Sequence, residues 1–179
     1  MIRIDEYPTH ELNGVKYRCG RVLPFGASFT GGGGINFSIF SRGAVSCELL
    51  LYHYGEPEPF LVIPFPEEFR LGSVFTMTVY DLNYDQLEYG YRFDGPFDPE
   101  HGDRFDKTKI LLDPYAKLVS GRNKWGREPD WSDAFQHRGC VILEDFDWEG
   151  DKPLERPLRD LIIYEAHVRS FTQDRSSGV

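Results

Sequence analysis

Apolar and polar residues alternate over short runs between residues 15 and 94, and the alternation predicts strands. Tyr89, Tyr91 and Phe93 fall on one face while Gly90, Arg92 and Asp94 fall on the other, the period of a half-buried strand. Residues 45–52 set Val45, Cys47, Leu49 and Leu51 on one face, and residues 74–80 set Phe75, Met77 and Val79 against Thr76 and Thr78. Residues 15–23 and 35–40 read as further strands. Residues 60–63 read as a short edge strand, because Pro64 and Pro66 follow and proline donates no ladder hydrogen bond. The run Gly31 to Gly34 precedes a strand pattern rather than a helix, so it reads as a turn and not as a phosphate cradle. Short alternating strands at near-regular spacing, parted by turn signals, predict an all-β chain folded as an immunoglobulin-like β-sandwich.

Beyond the last alternating strand the pattern changes. Gly95-Pro96, Asp98-Pro99 and His101-Gly102-Asp103 keep the chain turning. Ile110, Leu111 and Leu112 then form an apolar plug closed by Asp113-Pro114-Tyr115. The segment reads as an ordered crossing lying against another surface. From 121 to 157 charged residues, Trp125, Trp131, Trp148, Pro129 and Pro153 scatter without period, which predicts a bridge that packs its tryptophans, with a short strand at 140–143. Residues 161–164 are apolar enough for a strand buried on both faces. The expected divisions are a lead-in at 1–14, the sandwich at 15–120, the bridge at 121–159 and a further start at 160–179.

A formal charge of −9 without a basic run argues against nucleic acid and anionic membranes as partners, and suits a neutral polymer. Cys19, Cys47 and Cys140 show no metal-like spacing and read as reduced thiols, which with the absence of a signal peptide predicts a cytoplasmic protein. The five histidines show no paired spacing, and Asp81, Asp85, Asp98 and Asp103 have no calcium-loop pattern, so no metal and no cofactor are expected.

The segment 89–117 carries a resemblance. Tyr89-Gly90-Tyr91-Arg92, Gly95-Pro96, Pro99, Gly102, Arg104-Phe105, Lys109 and Leu111-Leu112-Asp113-Pro114-Tyr115-Ala116 follow in the order found at the end of the N-terminal module of isoamylase-type glycogen debranching enzymes, in glycoside hydrolase family 13. Asp106 stands where that family usually has Asn, and Lys107 where Pro is common. Leu23-Pro24-Phe25-Gly26-Ala27 resembles its PLGA turn, and residues 146–153 its connecting segment. Residues 160–172 are similar to the first strand of its (β/α)8 barrel. The resemblance implies a family 48 carbohydrate-binding module followed by the start of a truncated barrel, in an enzyme hydrolysing α-1,6 branch points of glycogen, amylopectin or limit dextrin. It also implies that Tyr89, Tyr91, Arg92, Gly95, Pro96, Arg104, Phe105, Lys109, Asp113, Pro114 and Tyr115 form a barrel-contacting motif.

Glycoside hydrolysis requires two carboxyl groups facing across the scissile bond. In the resembled family these lie on later barrel strands, so no catalytic residue is expected in this chain; Glu165, beside His167, reads as support for the barrel start. A glucan platform needs flat exposed rings. No tryptophan precedes Trp125, which leaves Tyr52 and Tyr54 as the candidates and makes packing against the barrel the expected role. The alternatives are a stand-alone glucan-binding or scaffold module, or the same region of a pullulanase or a trehalose-releasing relative.

Overall fold

In the computed structural model, which describes residues 7–121, 137–143 and 146–178, the alternating runs become two antiparallel sheets. The chain divides into two units, residues 1–143 and 144–179.

The strands of the first unit are β1 (His10–Leu12), β2 (Val15–Cys19), β3 (Gly26–Phe29), β4 (Ile35–Phe40), β5 (Ser46–His53), β6 (Leu61–Pro64), β7 (Arg70–Leu71), β8 (Val74–Val79), β9 (Leu87–Asp94), β10 (Phe97–Asp98), β11 (Asp103–Arg104), β12 (Leu118–Val119) and β13 (Gly139–Cys140). One sheet runs β1-β2-β8-β4-β3 with β7 added to β8; the other runs β12-β13-β9-β5-β6. β6 sits at an edge, as its prolines require. The backbone of the second sheet is the β5–β9 pair, in register from Ser46 opposite Asp94 to His53 opposite Leu87.

The core lies between the sheets. Phe37, Leu49, Leu51, Ile63, Met77, Val79, Tyr89 and Tyr91 are all buried there. Tyr89, Tyr91 and Phe93 follow one another along β9 with ring centroids 5.9 and 6.1 Å apart, and Phe37 meets the Tyr89 ring edge-on at 5.2 Å. Each such side chain removed from water contributes about 1.5–3 kcal/mol.

Three expectations change in detail. Val45 precedes the first residue of β5 and is exposed rather than core-facing. The strand expected over 15–23 stops at Cys19. There the chain lies down across the outer face of β4 and β8, because Gly20 has no side chain to keep it off: a Cβ at that position would come within 2.3 Å of Asn36 Oδ1. The strap formed by residues 20–23 also explains why Thr76 and Thr78, expected on a polar face, are buried. Thr76 donates its hydroxyl to Arg21 O (2.7 Å), Ser38 to Val22 O (2.6 Å) and Thr78 to Asn36 Oδ1 (3.1 Å). Asn36 completes the seam, accepting from Arg21 N at 2.7 Å and donating to Arg21 O at 3.0 Å.

The third change concerns the bridge. The short strand expected at 140–143 within the bridge is Gly139–Cys140, and it pairs with both β9 and β12, so it belongs to the second sheet.

In the second unit no β-ladder includes any of the residues 146–178; two short 3-10 turns, Leu158–Asp160 and Arg175–Ser177, are its regular structure. Residues 161–164 therefore do not form the expected two-face-buried strand: Ile162 is 100%, Ile163 76% and Tyr164 79% exposed. A parallel barrel strand needs partners along both edges, and the described residues supply none. Trp148 meets Phe146 edge-on at 4.9 Å but stays exposed, while Trp125 and Trp131 lie outside the described residues.

Candidate functional site

The residues of the 89–117 motif converge on β9 and the crossing that follows it. Asp113 is the fastener. Its carboxylate, 1% exposed, accepts from Tyr89 OH at 2.9 Å through Oδ2 and from Tyr115 N–H at 2.8 Å through Oδ1, and its carbonyl accepts from Ala116 N–H at 3.1 Å. Burial raises the Asp113 pKa above its ordinary value, while the hydrogen bonds from Tyr115 and Tyr89 pull it back. The Tyr89 phenol is pushed up by burial first and then by the Asp113 charge, so it remains a donor.

The plug ahead of Asp113 lies across β9. Tyr91 and Leu111 exchange backbone hydrogen bonds of 3.0 and 2.7 Å. Gly90 makes this approach possible, since a Cβ there would meet Ile110 Cγ2 at 2.8 Å. Pro114 and Tyr115 are exposed at the surface, with the Tyr115 ring 5.0 Å from that of Phe25. Gly26, at φ +87°, lets the Phe25 turn close over the Tyr115 carbonyl. The two motif regions, 23–27 and 111–116, therefore meet at one place.

Other motif residues build the hairpin that leads there. Phe105 fills the space beside Gly95, where a Cβ would come within 2.7 Å of its ring, and donates its N–H to Pro96 O. Arg104 pairs with Phe97 across the β10–β11 ladder. Arg92 Nε donates to Glu48 Oε2 at 2.6 Å. Lys109 donates its N–H to Asp106 O, and its side chain is exposed. The departure at Asp106 is mild, because Oδ1, an atom Asn also has, accepts from both Thr108 N–H and its hydroxyl; these bonds lower the Asp106 pKa.

Of the two candidate sugar platforms the structure removes one. Tyr52 is fully buried, with the Arg138 guanidinium 3.5 Å above its ring, so no sugar face reaches it. Tyr54 is 57% exposed and borders a hollow of about 380 Å³ with Leu112, Leu118, Val119 and His137. Sequence reasoning missed Arg138. Both it and Glu88 are buried, with Nη1 3.3 Å from Glu88 Oε2 and 2.6 Å from Glu56 O, and Nη2 3.1 Å from Pro57 O. The one local signal was Glu88 itself, an acid within the aromatic β9 run.

Nucleophilic chemistry has no starting point among the described thiols. Burial raises Cys19, Cys47 and Cys140, which keeps them protonated. No group of three or more His, Cys, Asp or Glu able to hold a metal ion occurs among the described residues, and Glu165 is exposed. What the arrangement offers is a rigid crossing with an exposed apolar row: Leu111, Leu112, Tyr115, Leu118 and Val119 are between 38% and 50% exposed.

Comparison with known proteins bears on this crossing directly. The chain is 38% identical over 167 residues to Isoamylase 1, chloroplastic, of Arabidopsis thaliana, covering 89% of this chain and 21% of that protein. It is 38% identical over 165 residues to the Glycogen debranching enzyme of Yersinia enterocolitica, covering 86% and 24%. The chain thus spans about a fifth to a quarter of the length of these relatives. Among solved structures, the Group B Streptococcus pullulanase SAP in complex with maltotetraose shares the fold at a TM-score of 0.58 and 22% identity, over 86% of this chain and 19% of that one. Pullulanase from Bacillus acidopullulyticus does so at 0.57 and 20%, over 87% and 16%. Residues 24–116, which hold the Phe25 turn, both sheets' central strands and the Asp113 fastener, match the family described as Carbohydrate-binding module 48 (Isoamylase N-terminal domain), and the chain belongs to that family.

Proposed function

We propose that the chain is the N-terminal module of an enzyme hydrolysing α-1,6-glucosidic branch linkages in glycogen or a related α-glucan such as amylopectin or limit dextrin. Its task in that enzyme is to pack against and support the catalytic barrel. One observation carries the reading: the Asp113-fastened crossing holds an apolar row in the open, on backbone too well fixed to be a linker. Covering these side chains would contribute about 1.5–3 kcal/mol for each fully buried one. The names of the relatives support the reaction class. The enzyme would be a retaining hydrolase working through two carboxyl groups and no organic cofactor. Placement in the cytoplasm belongs to the same reading for bacterial-type enzymes, whereas the plant relatives are named chloroplastic.

The experiment is to express the 179 residues alone and extended through the downstream reading frame. The extended protein should debranch glycogen, and Leu118→Asp in it should lower the unfolding temperature by several degrees. The chain alone should release no reducing sugar above a blank from glycogen, pullulan or amylopectin. Release by the chain alone, abolished by Glu165→Gln, would overturn the reading. A glucan-binding module is the second reading, favoured by exposed Tyr54 beside its hollow.

A further inference from the structure

Against a net charge of −9, one hollow of about 340 Å³ on the outer face of the first sheet is rimmed by two arginines, Arg18 and Arg21. They reach it from different backbones, and both backbones are fixed. Arg18 stands on β2 opposite Thr78 of β8, which in turn faces Asn36 of β4. Arg21 stands on the strap, where Asn36 holds both its N–H and its carbonyl.

The two side chains have few other commitments. Arg18 Nε donates to Cys19 O at 3.3 Å, which orients the guanidinium and leaves its terminal nitrogens. Among the described residues the Arg21 side chain makes no hydrogen bond and neither arginine has a carboxylate partner. The nearby hydroxyls are spent as donors: Thr78 on Asn36 Oδ1, and Thr30 on Gly34 O. Tyr80 walls the hollow, close enough to Gly34 that a Cβ there would lie 3.0 Å from its ring. Glu68, which raises the Cys19 thiol pKa as Arg18 lowers it, does not line the space.

Two arginines lining one hollow favour an anion there, and the planar N–H fork of arginine matches phosphate oxygens in pairs. We propose that this hollow binds a phosphate dianion, free or esterified, with Arg18 and Arg21 as its donors. The site is independent of the debranching reading and stands or falls separately from it. The same chemistry is presented by free phosphate and by phosphate esterified to a sugar.

The test is calorimetric titration of the 179-residue chain at pH 7.5 and about 20 mM salt, where screening is weak. The probes are inorganic phosphate, glucose 6-phosphate and glucose. The expected result is saturable phosphate binding with Kd of about 1 mM or tighter, weakened at least about tenfold by Arg18→Gln and by Arg21→Gln. Arg42→Gln, an exposed change in the turn between β4 and β5, should leave it unchanged. The Arg21 side chain has no tertiary hydrogen bond among the described residues to lose, so Arg21→Gln carries the test should Arg18→Gln disturb folding. Glucose 6-phosphate binding as tightly as inorganic phosphate assigns the site to an esterified phosphate, and a clear preference for the inorganic ion assigns it to free phosphate. Absence of saturation by about 20 mM, an equal loss with Arg42→Gln, or glucose binding as well as its phosphate would overturn the proposal.

Discussion

Replacing Asp113 by alanine removes two acceptors at once. Tyr89 OH, fully buried, is left without an acceptor for its proton, and the Tyr115 N–H loses its own. An unsatisfied buried donor costs about 1–3 kcal/mol, and the relief of no longer burying a carboxylate offsets part of the sum. The net loss should be about 2–3 kcal/mol, or roughly 5–10 °C in Tm for a domain of this size. Asp113→Asn differs in an informative way. Its Oδ1 still accepts from Tyr115 N–H and its amide donates to the phenol oxygen, while the phenol proton loses its acceptor, so the variant should fall between the parent and Asp113→Ala.

The pair also predicts a pH dependence. The folded-state pKa of Asp113 is raised above its ordinary 3.8, chiefly by burial. Its contribution to stability is therefore fully present below 3.8 and is lost as pH rises through the higher folded value. Asp113→Asn lacks this loss, so the parent should gain on Asp113→Asn as pH falls towards 3.8. Urea unfolding of all three proteins at pH 7.5 and near pH 4 measures these differences. An Asp113→Asn variant as unstable as Asp113→Ala at pH 7.5, or a parent-minus-Asn difference independent of pH, would refute the role given to the buried carboxylate.

Arg138→Met should destabilise the sandwich by about 3–5 kcal/mol in chemical unfolding, because buried Glu88 loses its ion-pair partner; Tyr52→Phe should be neutral or mildly stabilising, since the Tyr52 hydroxyl has no hydrogen-bond partner among the described residues. Gly20→Ala should cost about 2 kcal/mol or more and shift the urea midpoint down, as its Cβ would collide with Asn36 Oδ1, Thr76 Oγ1 and Met77 N. Maltoheptaose should bind with Kd no tighter than about 1 mM by calorimetry, and any binding detected should fall with Tyr54→Ala. Micromolar affinity would instead favour the glucan-binding module.

The sandwich was legible because its strands obey a local rule, period two, that β4, β8 and β9 follow along their length and β5 as far as Leu49. Two pieces escaped that rule. Thr76 and Thr78 look like a solvated face until residues 20–23 lie over them, a pairing across more than fifty residues that no window of sequence displays. Arg138 and Glu88 likewise meet across fifty residues, and their union buries the Tyr52 ring that composition offered for sugars. The Asp113 motif was legible as a resemblance, but its physics, a carboxylate holding a core phenol and a crossing amide, required coordinates. The 161–164 strand fails for the opposite reason: the apolar pattern is present, and the edges it would pair with are not among the described residues.

The edge of β9 away from β5 is divided between two later pieces of chain. Glu88 and Tyr89 pair with β13, and Tyr91 pairs with Leu111. During synthesis β9 therefore leaves the ribosome with one side open. That side is first covered at Leu111, and is closed only after Cys140 has emerged. Until then Glu88 waits without Arg138, beside bare main-chain groups that invite a neighbouring strand. A version shortened at residue 120 would be arrested in this half-zipped state and prone to aggregate, whereas one carried through residue 143 would bring its own closure.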